Sequence, residues 1–156
     1  MPSALIDDID RKILSALQDS GRMTNVDLAA GVGLTAPPCL RRVRGLEDAG
    51  IIRGYHAMLD PAALGYSLTV FAMVSLKSQA EADLRAFEEH VARLPEIREC
   101  HTLSGEIDFI LKIVAHDLQA FQQFLTTELA PAPNVANVKT SLTIRSSKLL
   151  PGVPLD

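Results

Sequence analysis

Three features of the sequence predict an α+β chain in two parts. Residues 7–50 carry apolar positions at helical spacing behind successive cap signals, and residues 68–144 alternate strand-like and helix-like runs in the order βαββαβ. Between them lies a short stretch opened by Pro61, which ends regular pairing. At 156 residues and 47% hydrophobic content, the chain can bury one ordinary core or two small ones. The expected organisation is a helical domain over residues 1–60, a linker over 61–66, a sheet domain over 67–148 and a loose tail over 149–156 holding Pro151 and Pro154.

In the helical part, the first helix begins at Asp7 or Asp8, carries Ile9, Ile13, Leu14 and Leu17 at helical spacing, and ends at Ser20-Gly21. Thr24 can cap a second helix over 25–30, its hydroxyl accepting orphan amides of the first turn, and Gly31 and Gly33 stop that helix. Thr35 caps a third, with Pro37 and Pro38 in the first turn, where a missing amide hydrogen costs little. There Leu40, Val43 and Leu46 form an apolar stripe, while Arg41, Arg42 and Arg44 face the other way. Gly50 supplies a C-cap, and Ile51-Ile52-Arg53-Gly54-Tyr55-His56 follows as a short extended run.

Such a series reads as a winged helix-turn-helix whose core is Ile9, Ile13, Leu17, Val26, Leu28, Leu34, Leu40, Val43, Leu46 and Ile52. Its third helix has what reading duplex DNA requires. The exposed start at Thr35, Ala36 and Pro37 can meet base edges, and arginines further along can reach phosphates or guanine edges. Thr24, Asn25 and Arg53 complete the expected DNA-binding set.

In the second part, Leu68–Leu76 is an apolar strand and 80–94 a helix with Leu84, Phe87 and Val91 on one face. Strands 97–103 and 107–114 are joined by a tight turn at Ser104-Gly105-Glu106. A second helix covers 117–129, with Leu118, Phe121, Phe124 and Leu125 inward, and a last strand covers 135–144. The order βαββαβ is the ferredoxin-like arrangement, one four-stranded antiparallel sheet with both helices on one face. Leu68, Val70, Ala72 and Val74 share one side of the first strand, leaving Phe71 and Met73 on the other. A sheet apolar on both sides wants a second layer, and another copy of itself is the economical one.

The net charge of −4 argues weakly against nucleic acid, but its distribution matters more. Residues 1–60 hold seven bases against eight acids, with five of the bases from Arg22 onward and four of the acids in the first helix. So modest a patch would bind DNA weakly as a monomer, and oligomerisation would have to multiply the contacts. No apolar run approaches the ~20 residues that span a bilayer, and the first ten residues carry acids where a secretory signal carries bases, so the expected place is the cytoplasm. Cys39 and Cys100 lack a CxxC partner or a histidine at metal spacing and are expected as reduced thiols, with no metal site.

The stretch GRMTNVDLAAGVGLTAPPCLRRVRGLEDAGIIRGYHAMLDPAALGY resembles the DNA-binding half of the leucine-responsive regulatory protein/AsnC family, the feast/famine regulators, and the resemblance runs on to about Lys148. It implies a sequence-specific DNA-binding transcriptional regulator of amino-acid metabolism, not an enzyme, with no cofactor and no membrane. Double-stranded DNA is the implied macromolecular partner. The ferredoxin-like regulatory domain is implied to form homodimers that stack into tetramers or octamers. It also implies a small amino-acid effector held between dimers beside Cys100-His101-Thr102-Leu103-Ser104-Gly105-Glu106-Ile107-Asp108-Phe109.

A free amino acid is a zwitterion, so its site needs donors for the carboxylate and an acceptor for the ammonium. Amides near Gly105 can make an anion-holding nest and Asp108 can pair with the ammonium, with Thr102, Ser104 and Glu106 beside them. Alignment with the family brings Ser141, Leu142 and Thr143 of the last strand to the same site. Some relatives carry an aromatic or aliphatic residue where this chain has Ser141 and Thr143, so leucine is not implied as the effector. Without the resemblance, other readings stay open: a hairpin turn with a surface charge, a small hydrolase using His101 with Asp108 or Glu106, or a helical half that docks a protein.

Overall fold

The computed structural model describes residues 6–155 and forms two compact units. One runs to Met58 and takes in the segment from Lys148 onward, and the other is Leu59–Ser147.

In the helical unit, α1 (Asp8–Asp19) starts on a capping box in which Asp7 accepts the Asp10 backbone N–H at 2.8 Å and Asp10 accepts the Asp7 N–H at 3.3 Å. The Thr24 hydroxyl accepts from the amide of Asp27 at the start of α2 (Asn25–Val32). That helix runs through Gly31, a glycine that only weakens a helix interior, and stops at Gly33, where φ is 76°. α3 (Ala36–Asp48) follows Thr35, which stands at the cap position without making the side-chain hydrogen bond expected of it. After α3, Gly50 takes φ 70° and the Ile51 amide bonds back to the Leu46 carbonyl at 3.0 Å.

Ile13, Leu28, Ala29, Cys39, Val43 and Leu46 form the core of this unit. Two expected core residues are displaced from it: Val26 is 67% exposed and Leu40 37%. The stripe that α3 buries is Cys39, Val43 and Leu46, at i, i+4 and i+7, so the small thiol takes the place expected for Leu40. Residues 53–60, expected in part as an extended wing, pair with no other strand among the described residues, and the Tyr55 hydroxyl holds them to α3 by donating to Glu47 at 2.8 Å. The tail expected to be loose is instead attached to α1: Val153 exchanges two hydrogen bonds with the Gln18 side chain.

The second unit consists of β1 (Leu68–Leu76), α4 (Glu81–Val91), β2 (Ile97–Thr102), β3 (Phe109–Ala115), α5 (Leu118–Phe124) and β4 (Val135–Leu142). Sheet order is β2-β3-β1-β4 with every neighbouring pair antiparallel. Alternation along β1 and β3 sends Val70, Ala72, Val74, Phe109, Leu111 and Ile113 to one face, where they pack with Phe87 and Val91 of α4 and Phe121 and Phe124 of α5. The Phe87 and Phe109 rings meet at 4.7 Å in this core. α5 ends early and passes into one wide turn, Leu125–Leu129, and Leu118, expected inward, is 51% exposed.

The segment expected as a bare linker is built into this unit. Asp60 caps a short turn at Ala62–Leu64, the Gly65 carbonyl lies 2.8 Å from His116 Nδ1, and the Tyr66 ring stacks on His116. The sheet face away from the helices carries half-buried Met73, Ile110 and Val114 together with Phe71, itself 37% exposed and paired opposite Lys112. Across that face Lys112 pairs with Glu99 at 3.0 Å, and His101 Nε2 lies 3.4 Å from the same carboxylate.

Candidate nucleic-acid interface and effector site

The exposed side of α3 follows from its buried stripe. At 3.6 residues per turn, Arg41 and Arg44 lie about 160° and 140° round the helix from Cys39, and both are exposed together with Thr35 and Pro37. Ala36 is half-buried at the start of the helix and Arg53 is exposed beyond its end. Arg41 and Arg44 thus lie on the outward side of α3, away from its buried stripe.

Arg42 does not belong to that face. It lies only about 40° from Leu46 on the helix and turns back to α1, where one guanidinium nitrogen meets Asp7 at 2.7 Å and Asp10 at 2.8 Å. The same two carboxylates cap α1, so a single cluster closes the first turn of α1 and fixes α3 to it. The Asp10 amide, with the guanidinium, holds the Asp7 carboxyl below its ordinary range, and Asp7 and Asp10 raise Arg42 in turn. The expectation of three outward arginines is therefore corrected to two. The signal was present in the sequence: once Cys39 is taken as core, Arg42 falls at the edge of the buried stripe, opposite the acids of α1.

Two further residues of the expected DNA-binding set have their side chains engaged within the unit. Thr24 donates to the Asp27 carboxylate at 2.6 Å, and Asn25 donates to the Ala36 carbonyl at 2.8 Å. Asn25 thereby ties the start of α2 to the start of α3, with its Oδ1 buried and unpartnered. No sequence signal marked this link.

The effector residues divide into two groups. Thr102 ends β2 and donates to Glu88 of α4 at 3.0 Å, so it lies on the helix side of the sheet. Ser104, Gly105 and Glu106 are exposed in a six-residue connection wider than the expected tight turn, closed by the Leu103 amide on the Asp108 carbonyl at 2.8 Å. Gly105 takes φ 136°, a conformation that side chains disfavour, so glycine suits this loop.

Asp108, the last residue of this connection, is buried, unlike Ser104, Gly105 and Glu106. It is 6% exposed, its backbone N–H bonds to Val74, and its Oδ2 accepts the Leu76 amide at 2.7 Å. The carboxylate satisfies the backbone where β1 leaves the sheet, a partner the expected ammonium role did not include.

Ser141 pairs opposite Phe71, and the Thr143 amide bonds to Thr69, at the other end of β1 from Val74 and Leu76. β4 and β2 are also opposite edges of the sheet. Within one chain, the loop and the β4 residues therefore lie diagonally across the sheet and do not form one pocket.

His101 Nε2 lies 3.4 Å from Glu99, not beside Asp108 or Glu106, so the hydrolase constellation is not assembled. Among the described residues, no three His, Cys, Asp or Glu side chains could hold a metal, and no helix is long and apolar enough to cross a membrane. Cys39 is buried and Cys100 exposed, both as free thiols. Although Cys100 is exposed, neighbouring atoms partly desolvate its sulfur and, with Glu88 nearby, push the thiol up to about 11.

Comparison with known proteins agrees with this architecture. Residues 6–53 match the family model described as winged helix-turn-helix DNA-binding, and residues 69–153 match the Lrp/AsnC ligand binding domain. The chain is 55% identical to a leucine-responsive regulatory protein of Rhizobium meliloti over 92% of each chain. It is 43% identical to a Bkd operon transcriptional regulator of Pseudomonas aeruginosa, over 97% of this chain and 99% of the other. Among solved structures, a transcriptional regulator of Neisseria meningitidis in complex with L-methionine superposes with a TM-score of 0.91 at 37% identity, covering 96% of this chain and 97% of that one. Escherichia coli AsnC gives 0.87 at 26% identity, covering 96% and 99%. With both units matched across their folds, the chain belongs to the Lrp/AsnC family of transcriptional regulators.

Proposed function

We propose that this chain regulates genes of amino-acid metabolism as a cytoplasmic homo-oligomer, at least a dimer, whose DNA binding responds to a small amino acid bound between copies. The observation that carries the DNA part is the outward face of α3, with Arg41 and Arg44 exposed and its start open to base edges. Two such heads related by a two-fold would read an inverted repeat, with half-sites about one helical turn or a multiple of it apart. The apolar face around Phe71 supports association through the sheet. The diagonal separation of residues 103–106 from Ser141 and Thr143 favours a ligand site completed by a second copy. The Neisseria meningitidis relative, solved with L-methionine, favours an amino acid as that ligand.

The test has two arms. If each of two heads neutralises two or three phosphates through Arg41, Arg44 and Arg53, log affinity for duplex DNA should fall against log salt with a slope of roughly −4 to −5. A slope near zero would refute DNA recognition by this face. A thermal-shift screen of the twenty amino acids tests the effector, since a ligand at 100 times its Kd adds roughly 2.7 kcal/mol. If no amino acid shifts the melting or the oligomer distribution, the protein is an effector-independent DNA-binding regulator.

A further inference from the structure

The C-terminal segment presents a feature that neither DNA reading nor effector binding uses. Val153 docks on α1 through both faces of one amide: Gln18 Nε2 donates to the Val153 carbonyl at 2.9 Å, and the Val153 amide donates to Gln18 Oε1 at 2.8 Å. A side-chain amide bound this way mimics a strand partner, and it fixes one residue of the tail in register on the helix. Gly152 makes the approach possible. It takes φ 69°, and a Cβ built on it would overlap the Gln18 side chain, so both its conformation and its lack of a side chain are required. Pro151 and Pro154 bracket the contact and lower the entropy lost when the segment is held.

Chain connectivity gives this contact a consequence. The chain leaves the helical unit after Met58 and returns to it at Lys148, five residues after Thr143 at the end of β4. The chain thus passes between the two units at Met58–Leu59 and again at Ser147–Lys148, and beyond the second crossing it is held to α1 by the Gln18–Val153 bonds.

We infer that the segment 148–155 is a strap whose dock at Gln18 restrains the DNA-binding unit and links its freedom to β4. With the strap docked, two heads on one assembly sample fewer relative placements, so seating both on DNA costs less entropy. Released, each head hangs on the single connection at Met58–Leu59. The consequence for DNA rests on the proposed two-headed binding, whereas the dock itself does not.

The experiment uses the full chain and three variants: Gly152→Ala, Gln18→Ala, and Gln18→Glu, which keeps an acceptor for the Val153 amide but loses the donor to its carbonyl. Hydrogen exchange read on the C-terminal peptide should show protection of the Val153 amide in the parent, loss of it in Gly152→Ala and Gln18→Ala, and an intermediate value in Gln18→Glu. Tryptic cleavage after Lys148 should quicken in the same order. Equal exchange and equal cleavage in parent and variants would overturn the dock. Affinity is then measured on an inverted repeat selected by the protein from a random duplex pool, and on the same duplex with one half-site scrambled. Strap loss should weaken binding to the intact repeat by a larger factor than binding to the single half-site. Equal factors on the two duplexes, with the dock shown to be lost, would overturn the restraint while leaving DNA binding untouched. Failure of both duplexes to bind the parent would instead count against the proposed function.

Discussion

Replacing Asp108 by alanine separates two roles that one carboxylate could have. In the structure, its Oδ2 accepts the Leu76 amide at 2.7 Å, and both residues are buried, at 6% and 5% exposure. Alanine removes the hydrogen bond and leaves a buried N–H without a partner, so the cost should be about 1–3 kcal/mol. For a unit of this size, each kcal/mol lowers Tm by roughly 4–8 °C. Asp108→Asn keeps an acceptor oxygen in place and should recover much of the loss. Reversible thermal melting of parent, alanine and asparagine variants, followed by amino-acid binding, is the assay. If Asp108→Ala melts like the parent and loses only its amino-acid response, the carboxylate is a ligand group and the reasoning from its burial is wrong.

Arg41→Ala and Arg44→Ala should each weaken DNA binding, by about 1–3 kcal/mol where a base contact is lost, with melting unchanged. Arg42→Ala should instead lower the melting of the helical unit, because it frees Asp7 and Asp10 from their shared partner; the reverse pattern in paired melting and anisotropy titrations would contradict the assignment. The lowered Asp7 carboxyl contributes stability that is fully present above its ordinary value of 3.8 and lost as pH falls through the lower folded-state value. Asp7→Asn should therefore flatten the acid limb of the stability curve, and parallel curves for the two proteins would count against the clamp. With its thiol pushed up to about 11 from 9.0, Cys100 should hold less thiolate than an ordinary cysteine at neutral pH and alkylate more slowly. Glu88→Gln should speed that reaction, and alkylation of the parent at the rate of a free thiol would refute the shielding.

How far the sequence disclosed all this depends on the range of the forces involved. Element order, the sheet face of Val70, Ala72 and Val74, and the Thr24 cap were legible because they rest on period and on contacts within a turn. Leu40 and Cys39 exchanged roles because both fit a helical stripe, and only the packing of α1 and α2 decides which residue the interior accepts. Arg42, Asn25 and Asp108 each make a contact that the sequence did not announce, for a common reason. Each satisfies a group far along the chain, in α1, at the start of α3 and at the end of β1, and no local pattern announces such a partner. The tail was read as loose from its prolines, which limit its conformations but do not prevent it from docking.

The diagonal placement of the effector residues bears on how a signal could reach DNA. Residues 103–106 lie beyond β2, and Ser141 and Thr143 lie at the opposite end and edge of the sheet. A ligand touching both groups must bridge two chains, so its binding energy would depend on how the chains are assembled. Differential affinity for one assembly is then sufficient to move the heads without contact with DNA. Subunit complementation tests this directly. One variant carries Gly105→Val, which strains the loop at its positive φ, and the other carries Ser141→Asp, which places charge beside the proposed strand contribution. Alone, each should fail to respond to the amino acid. In a two-fold pair, each junction joins the loop of one chain to the strand of the other, so in a mixed pair one junction is doubly damaged and the other intact. Random mixing should therefore restore roughly a quarter of the junctions, with a matching share of bound amino acid. If mass spectrometry confirms that the chains have exchanged and no binding returns, the site does not span two chains and the coupling through assembly fails with it.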